Sequence, residues 1–169
     1  MLSNLNEILS ARKREISSVT MLDFEQELQH VLKSIKQTAL EQDLKLVHDF
    51  KQSVKVLCSQ EVLQSVLPNL ISNAIKYKKQ GTSPELFLQS VILDEFIILR
   101  ATDKGIGINL DKHGERLFNP YQRFQPTIEG KGLGLYLIKT QVEKMGGKIS
   151  VESNVNEGTT FSIYFRQNP

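Results

Sequence analysis

The stretch Leu67-Pro-Asn-Leu-Ile-Ser-Asn-Ala-Ile-Lys-Tyr77 decides how the rest of the chain is read. Asn69, Asn73, Lys76 and Tyr77 stand at i, i+4, i+7 and i+8, so a helix carries all four on one stripe. Val62, Leu63, Val66, Leu67, Leu70, Ile71, Ala74 and Ile75 fill the adjoining arc, which must face a core. The polar stripe then runs along the rim between core and solvent, where a pocket wall would stand. Two carboxamides, an ammonium and a phenol suit a ligand with an anionic and an aromatic part. The same pattern also fits an ordinary amphipathic helix with a polar outer side. Ser59 offers an N-cap, and Pro68 predicts a bend or an early break.

Outward from this helix, the chain is of one-domain size. Its 169 residues include 40% apolar and 24% charged residues and carry a net charge of +2. That charge is too small to imply nucleic acid. Cys58, the only cysteine, stands in an apolar run, so a disulfide framework and a cysteine metal site are both excluded. No apolar run reaches membrane-spanning length, and residues 1–25 lack a signal-peptide pattern. Leu2, Leu5, Leu9, Arg12 and Ile16 make a short heptad-like seam, which reads equally as a helix end that wants a partner helix or as an N-terminal helix packed on its own domain.

Val19–Leu22 reads as a short β piece. Asp23 and Gln26 then open a helix whose apolar stripe runs to about residue 42. Leu44–Phe50 and Val54–Cys58 are strand candidates. Beyond the central helix and the loop Lys78–Pro84, Leu86–Leu93 and Phe96–Asp103 form an antiparallel hairpin turning at Asp94-Glu95. Asp103 shares the parity of Ile97, Leu99 and Ala101, so its carboxylate points inward and needs a partner or a ligand. Leu110–Phe118 reads as a short helix and Asn119–Gly130 as an irregular, mobile loop. Gly130-Lys-Gly132-Leu-Gly134 opens a helix to about Met145, the kind of glycine-led N-terminus that receives a phosphate. Ile149–Ser153 and Thr159–Phe165 make the last hairpin.

Familiar phosphate and catalytic motifs do not fit. There is no GxxxxGK[ST], the late glycines miss G-x-G-x-x-G, and His30, His48 and His113 lack zinc-ligand spacing. The three histidines read as structural or solvated. What remains is an ordered series: NLISNAIKY, DKGIGI, LFNPYQRF, GKGLGL and GTTF. Over residues 20–166 this series resembles the N, G1, F and G2 boxes and terminal threonine of the catalytic, ATP-binding domain of sensor histidine kinases. That domain belongs to the ATPase branch shared with DNA gyrase, mismatch-repair proteins and a heat-shock chaperone.

The resemblance implies an α/β sandwich of the Bergerat type, with a mixed, largely antiparallel sheet covered by helices on one face. It implies ATP and Mg²⁺ as cofactors. By that likeness Asn73 is the Mg²⁺ ligand, Lys76 contacts phosphate, Tyr77 lies against the adenine, and Asp103 accepts from the adenine amino group. Gly105 and Gly107 shape the wall beside the base. Lys131, Gly132, Leu133 and Gly134, with Gly130, form the lid hinge and phosphate-binding helix start. Thr160 supports Asp103. The catalytic set is Asn69, Asn73 and Lys76. In the chaperone and gyrase branch a glutamate, the base for water, stands where this chain has Asn69. A carboxamide cannot take a proton at neutral pH, so phosphoryl transfer to a histidine is preferred to hydrolysis.

The same likeness divides the chain into residues 1–18, the end of a truncated dimerisation and phosphoacceptor hairpin, and residues 19–169, the catalytic domain. No residue matches the phosphoacceptor histidine, so the fragment is expected not to phosphorylate itself. Its expected partners are its own missing hairpin domain and a response-regulator receiver domain, with no nucleic acid and no membrane contact. The expected location is cytoplasmic, within a full-length homodimer that the family allows to be membrane-anchored. The alternatives are a protein-serine kinase of the anti-sigma type and a non-catalytic ATP-sensing module.

Overall fold

A computed structural model describes residues 18–124 and 130–167. In chain order the elements are β1 (Thr20–Asp23), α1 (Phe24–Ser34), α2 (Lys36–Glu41), β2 (Lys45–Asp49), β3 (Lys55–Cys58), α3 (Gln60–Lys76), β4 (Glu85–Leu93), β5 (Phe96–Asp103), α4 (Leu110–His113), a 3₁₀ turn (Gly114–Arg116), α5 (Gly134–Lys144), β6 (Lys148–Asn154) and β7 (Gly158–Arg166). Five strands form one mixed sheet in the order β2-β4-β5-β7-β6, in which only β2 and β4 are parallel; β1 and β3 pair separately.

The period-2 pattern of the strands sets the two faces. Leu88, Ala101, Phe161 and Val151 are paired across β4, β5, β7 and β6, and Leu99 and Ile163 continue the same inner face. Helices α1, α3 and α5 close over it. Phe24, Leu28, Leu63, Leu67, Ile71, Ile138 and Val142 join those strand residues in one core. Among the described residues no helix covers the outer face, and there Lys148 lies over the rings of Phe96 and Tyr164, at 5.1 and 4.6 Å from their centroids. This is the expected α/β sandwich with helices on one side.

Several local expectations change. The helix predicted to run from Phe24 to about residue 42 divides at Ile35. Ser34 Oγ donates to the Val31 carbonyl at 2.7 Å, and a hydroxyl bonding back to the preceding turn loosens the helical ladder. Asp23 caps α1 as expected, its carboxylate accepting from Gln26 N–H at 3.1 Å. Pro68 does not break α3, which is helical from Gln60 to Lys76. An interior proline costs about 3 kcal/mol or more. Seven buried apolar residues on this helix, Val62 to Ala74, offset that cost. Ser59 occupies the N-cap position of α3 but makes no capping hydrogen bond with its side chain. The expected helix Leu110–Phe118 is one short α-helical turn followed by the 3₁₀ turn from Gly114. The glycine run opens α5 later than expected, because Gly130–Leu133 is a loop and helix begins at Gly134. The seam at residues 2–16, and residues 125–129 of the expected loop, lie outside the described residues.

Candidate nucleotide site

The rim of α3, the end of β5 and the start of α5 enclose one cavity of about 640 Å³. Asn69, Asn73, Lys76 and Tyr77 all line it, as the helical spacing requires. Opposite them stand Asp103 and Gly107, and Lys131, Gly132, Leu133 and Gly134 close a third side. One continuous stripe on one helix thus meets residues that lie 26 to 65 positions later in the chain, counting from Tyr77 to Asp103 and from Asn69 to Gly134.

At one end of the cavity lies the inward acid. Asp103 is 8% exposed, with Oδ1 accepting from Gly105 N–H at 2.8 Å. Burial pushes its carboxyl above the ordinary range, and backbone hydrogen bonds from Gly105 and Thr159 pull the other way. Gly105 does not line the cavity. It sits behind the acid, against the Tyr77 carbonyl. The loop after β5 is pinned by its backbone: Ile106 N–H donates to the Tyr77 carbonyl at 2.9 Å, and the Ile106 carbonyl accepts from Asn156 N–H at 2.7 Å. The end of α3 and the β6–β7 turn therefore hold the acid's loop from two sides.

Thr160 requires a correction. It was expected beside Asp103, yet it pairs with Thr102, and the two hydroxyls stand 2.9 Å apart. The residue opposite Asp103 is Thr159, which is 6% exposed and lines the cavity. Alternation along β7 sends the two threonines to opposite faces.

The other end of the cavity carries positive charge. Lys76 reaches toward Gly130 at the start of the glycine run, and Lys131 lies on the same wall. Arg123 also lines the cavity, and its charge lowers the Tyr77 phenol, whose net shift is upward because burial dominates. Tyr121 N–H donates to the Gly132 carbonyl at 2.9 Å, which latches the loop after the 3₁₀ turn to the glycine run. Gly132 has φ +68°, and a Cβ there would strike the Gln122 backbone, so glycine is required. Asn69 is oriented by its own helix, its Nδ2 donating to the Ser65 carbonyl at 2.8 Å. Its Oδ1 faces Gly134 so closely that a Cβ at that position would collide with it.

Among the lining residues that sequence reasoning did not single out, the following bear most on the site. Ser72 lies at i+3 from Asn69 on α3, a spacing that could have revealed it. Gln122, Arg123 and Phe124 come from the LFNPYQRF box, a stretch the resemblance marks without giving these residues a role, and no periodicity singles them out. His113, expected to be solvated or structural, lines the cavity with its ring 4.4 Å from that of Phe124, and its Nδ1 is buried with no hydrogen-bond partner. Thr159 was hidden by the threonine next to it.

Among the described residues no group of three His, Cys, Asp or Glu side chains could hold a metal, and no helix is long and apolar enough to cross a membrane. The buried Cys58 thiol is pushed up to about 12 by desolvation and so stays protonated and unreactive.

The comparisons with known proteins agree with this geometry. The family described as histidine kinase-, DNA gyrase B- and HSP90-like ATPase matches residues 58–169. The Heme sensor protein HssS of Staphylococcus saprophyticus is 30% identical over 161 residues, covering 92% of this chain and 34% of HssS. The chain thus spans about a third of that relative's length. Among solved structures, Acinetobacter baumannii histidine kinase AdeS aligns with a TM-score of 0.77 at 24% identity, over 99% of this chain and 77% of that one. Full-length ShkA in complex with AMPPNP aligns at 0.78 and 23% identity, over 97% of this chain and 35% of ShkA. At these identities the structures establish the fold. With its α/β sandwich, its glycine-hinged cavity and a family match over 58–169, the chain belongs to the histidine kinase-, DNA gyrase B- and HSP90-like ATPases, as an ATP-binding domain.

Proposed function

We propose that the chain is the catalytic part of a sensor histidine kinase. It holds Mg·ATP and presents the γ-phosphate to a histidine on a separate helical hairpin domain, from which a response regulator is charged. The observation that carries this reading is the convergence of the Asn69–Tyr77 stripe, the buried Asp103 and the glycine-hinged start of α5 on one cavity. The adenine end is Asp103 with Tyr77 alongside. The phosphate end is Lys76, Lys131 and the first turn of α5, where the N-cap residue Leu133 has no side-chain cap of its own.

The donor set fits Mg²⁺ carried in with the nucleotide. Asn73 offers a hard carboxamide oxygen, and the absence of a carboxylate cage among the described residues suits an ion that keeps water and phosphate ligands. When bound, the ion would supply neutralisation of phosphate charge. Asn69, fixed by Ser65, offers no base for water, which favours transfer over hydrolysis. The chain's own work is to orient the triphosphate and to keep cations beside it. AMPPNP, an ATP analogue, is the ligand of the similar ShkA, which supports the choice of nucleotide.

The test is to incubate the chain with Mg²⁺ and γ-labelled ATP, with and without a purified histidine-bearing hairpin domain from a related kinase. Acid-labile label on the hairpin and none on this chain is the expected result. Acid-stable label on a serine of a small partner would indicate the serine-kinase alternative. Nucleotide binding with no transfer to any hairpin would leave a sensing module.

A further inference from the structure

Ser153, on β6, does not line the cavity, yet its hydroxyl oxygen is the meeting point of three groups around the acid end. It accepts from Ile108 N–H at 2.8 Å, lies 2.7 Å from the Gly158 carbonyl, and lies 2.9 Å from Thr159 Oγ1. Valence resolves the direction of each bond. A carbonyl only accepts, so the single Ser153 proton goes to Gly158. The Ile108 amide only donates, so it takes one Ser153 lone pair. The Thr159 contact must then use Thr159 as donor and Ser153 as acceptor. The Thr159 proton is committed, and its oxygen has only lone pairs left for the cavity. Asp103, directly opposite across the β5–β7 pair, also has only lone pairs to offer when ionised.

We propose that Ser153 is a positioning residue that makes the acid end of the cavity acceptor-only, and so selects a base bearing an amino group there over one bearing a carbonyl. Adenine presents its amino group to such an edge. Guanine seated in the same orientation puts O6, an acceptor, where adenine has its amino group, and meets two oxygens with no proton between them. Sites built to hydrogen-bond one group reject the analogue that leaves their polar atoms unpaired. This rests on the reading of Asp103 as the base-recognising acid. It adds that discrimination is set by a residue that touches no ligand.

The experiment measures ATP and GTP affinities by calorimetry for wild type, Asp103→Asn, Ser153→Ala and Ser153→Thr. Wild type should prefer ATP strongly, and Asp103→Asn should lose ATP. If wild type fails to bind ATP, or Asp103→Asn binds it unchanged, the base reading itself has failed, and the role of Ser153 falls with it. If those two behave as expected, Ser153→Ala should free the Thr159 proton to turn toward O6. The ratio of GTP to ATP dissociation constants should then fall by about tenfold, one hydrogen bond's worth. Ser153→Thr, which keeps the hydroxyl, should restore the ratio. Equal weakening of both nucleotides by Ser153→Ala, or no change in either, overturns the proposal. Wild type supplies a second measurement that needs no variant to fold: the Thr159 hydroxyl proton should appear by NMR as a slowly exchanging signal close to the Ile108 amide. A Thr159 proton directed at Asp103 instead overturns the proposal.

Discussion

The two ends of the cavity are held by different means. At the acid end, strand pairing fixes Asp103 opposite Thr159, and Ser153, Gly105 and Ile106 tie the surrounding backbone together. The other end carries long side chains on a helix terminus and on loops, Lys76 and Lys131, with Arg123 acting on Tyr77 between the two ends, and a backbone bond from Tyr121 to Gly132 ties the loop to the glycine run. A base is flat and needs fixed donors and acceptors, which a sheet provides. A triphosphate is flexible and strongly charged, and the end proposed for it is built from cationic side chains on a helix terminus and loops. On the proposed function, selectivity belongs to the first end and charge neutralisation to the second.

The sharpest way to break this contrast is Asp103→Asn. Losing a charge-assisted acceptor is worth about 1.5–3 kcal/mol, so ATP affinity should fall by about ten- to a hundredfold in calorimetry. Retained affinity would mean that the acid end does not read the base. Next in size is Gly132→Ala, which forces a left-handed residue against the Gln122 backbone. Strain of about 1–3 kcal/mol should loosen the Tyr121 latch and weaken ATP about tenfold, with the binding of adenosine itself little changed. Lys76→Ala should weaken ATP severalfold, about 1 kcal/mol, and more at low salt than at high. Adenosine should be indifferent to that change too, which would sharpen the division between the ends.

A smaller effect has the opposite sign. The Asp103 carboxyl is raised above its unfolded value by burial, so the native state holds its proton more tightly than the unfolded chain does. Stability of the ligand-free protein therefore falls as pH rises from the ordinary carboxyl value through the raised one, and at neutral pH the acid is a burden. Asp103→Asn should raise the melting midpoint at pH 7, while the gain vanishes in acid. A lower midpoint would mean that the acid's hydrogen bonds outweigh its desolvation. Smallest of all is Thr160→Val, which should leave ATP affinity within about twofold, since one exposed-side hydroxyl pair is worth little to the cavity. Thr159→Val should weaken ATP more than that.

Much of this arrangement was legible from residue spacing. The stripe of α3 is periodic over two turns, and Asp103 betrays itself by standing among apolar residues of its own parity. Both are local patterns. Thr159 was not legible, because two adjacent threonines differ only in the face they take, and that is set by pairing with a strand more than fifty residues earlier in the chain, Asp103 against Thr159. Gln122, Arg123 and His113 were not legible either. Their positions depend on a backbone bond from Tyr121 to Gly132 and on a ring contact with Phe124, and neither leaves a repeat in the sequence. The break in the first helix falls at Ile35, where the Ser34 hydroxyl shares the Val31 carbonyl with the ladder, and apolar periodicity does not register such a bond.

Ile106 holds its loop through backbone atoms alone, one bond to the end of α3 and one to the β6–β7 turn, while its side chain lines the cavity. The geometry of the loop is thus independent of what grows from that α-carbon. Position 106 can be trimmed to valine or alanine to admit a bulkier nucleotide derivative, leaving the rest of the wall where it is. Pocket width is thereby open to adjustment at a single position of the wall.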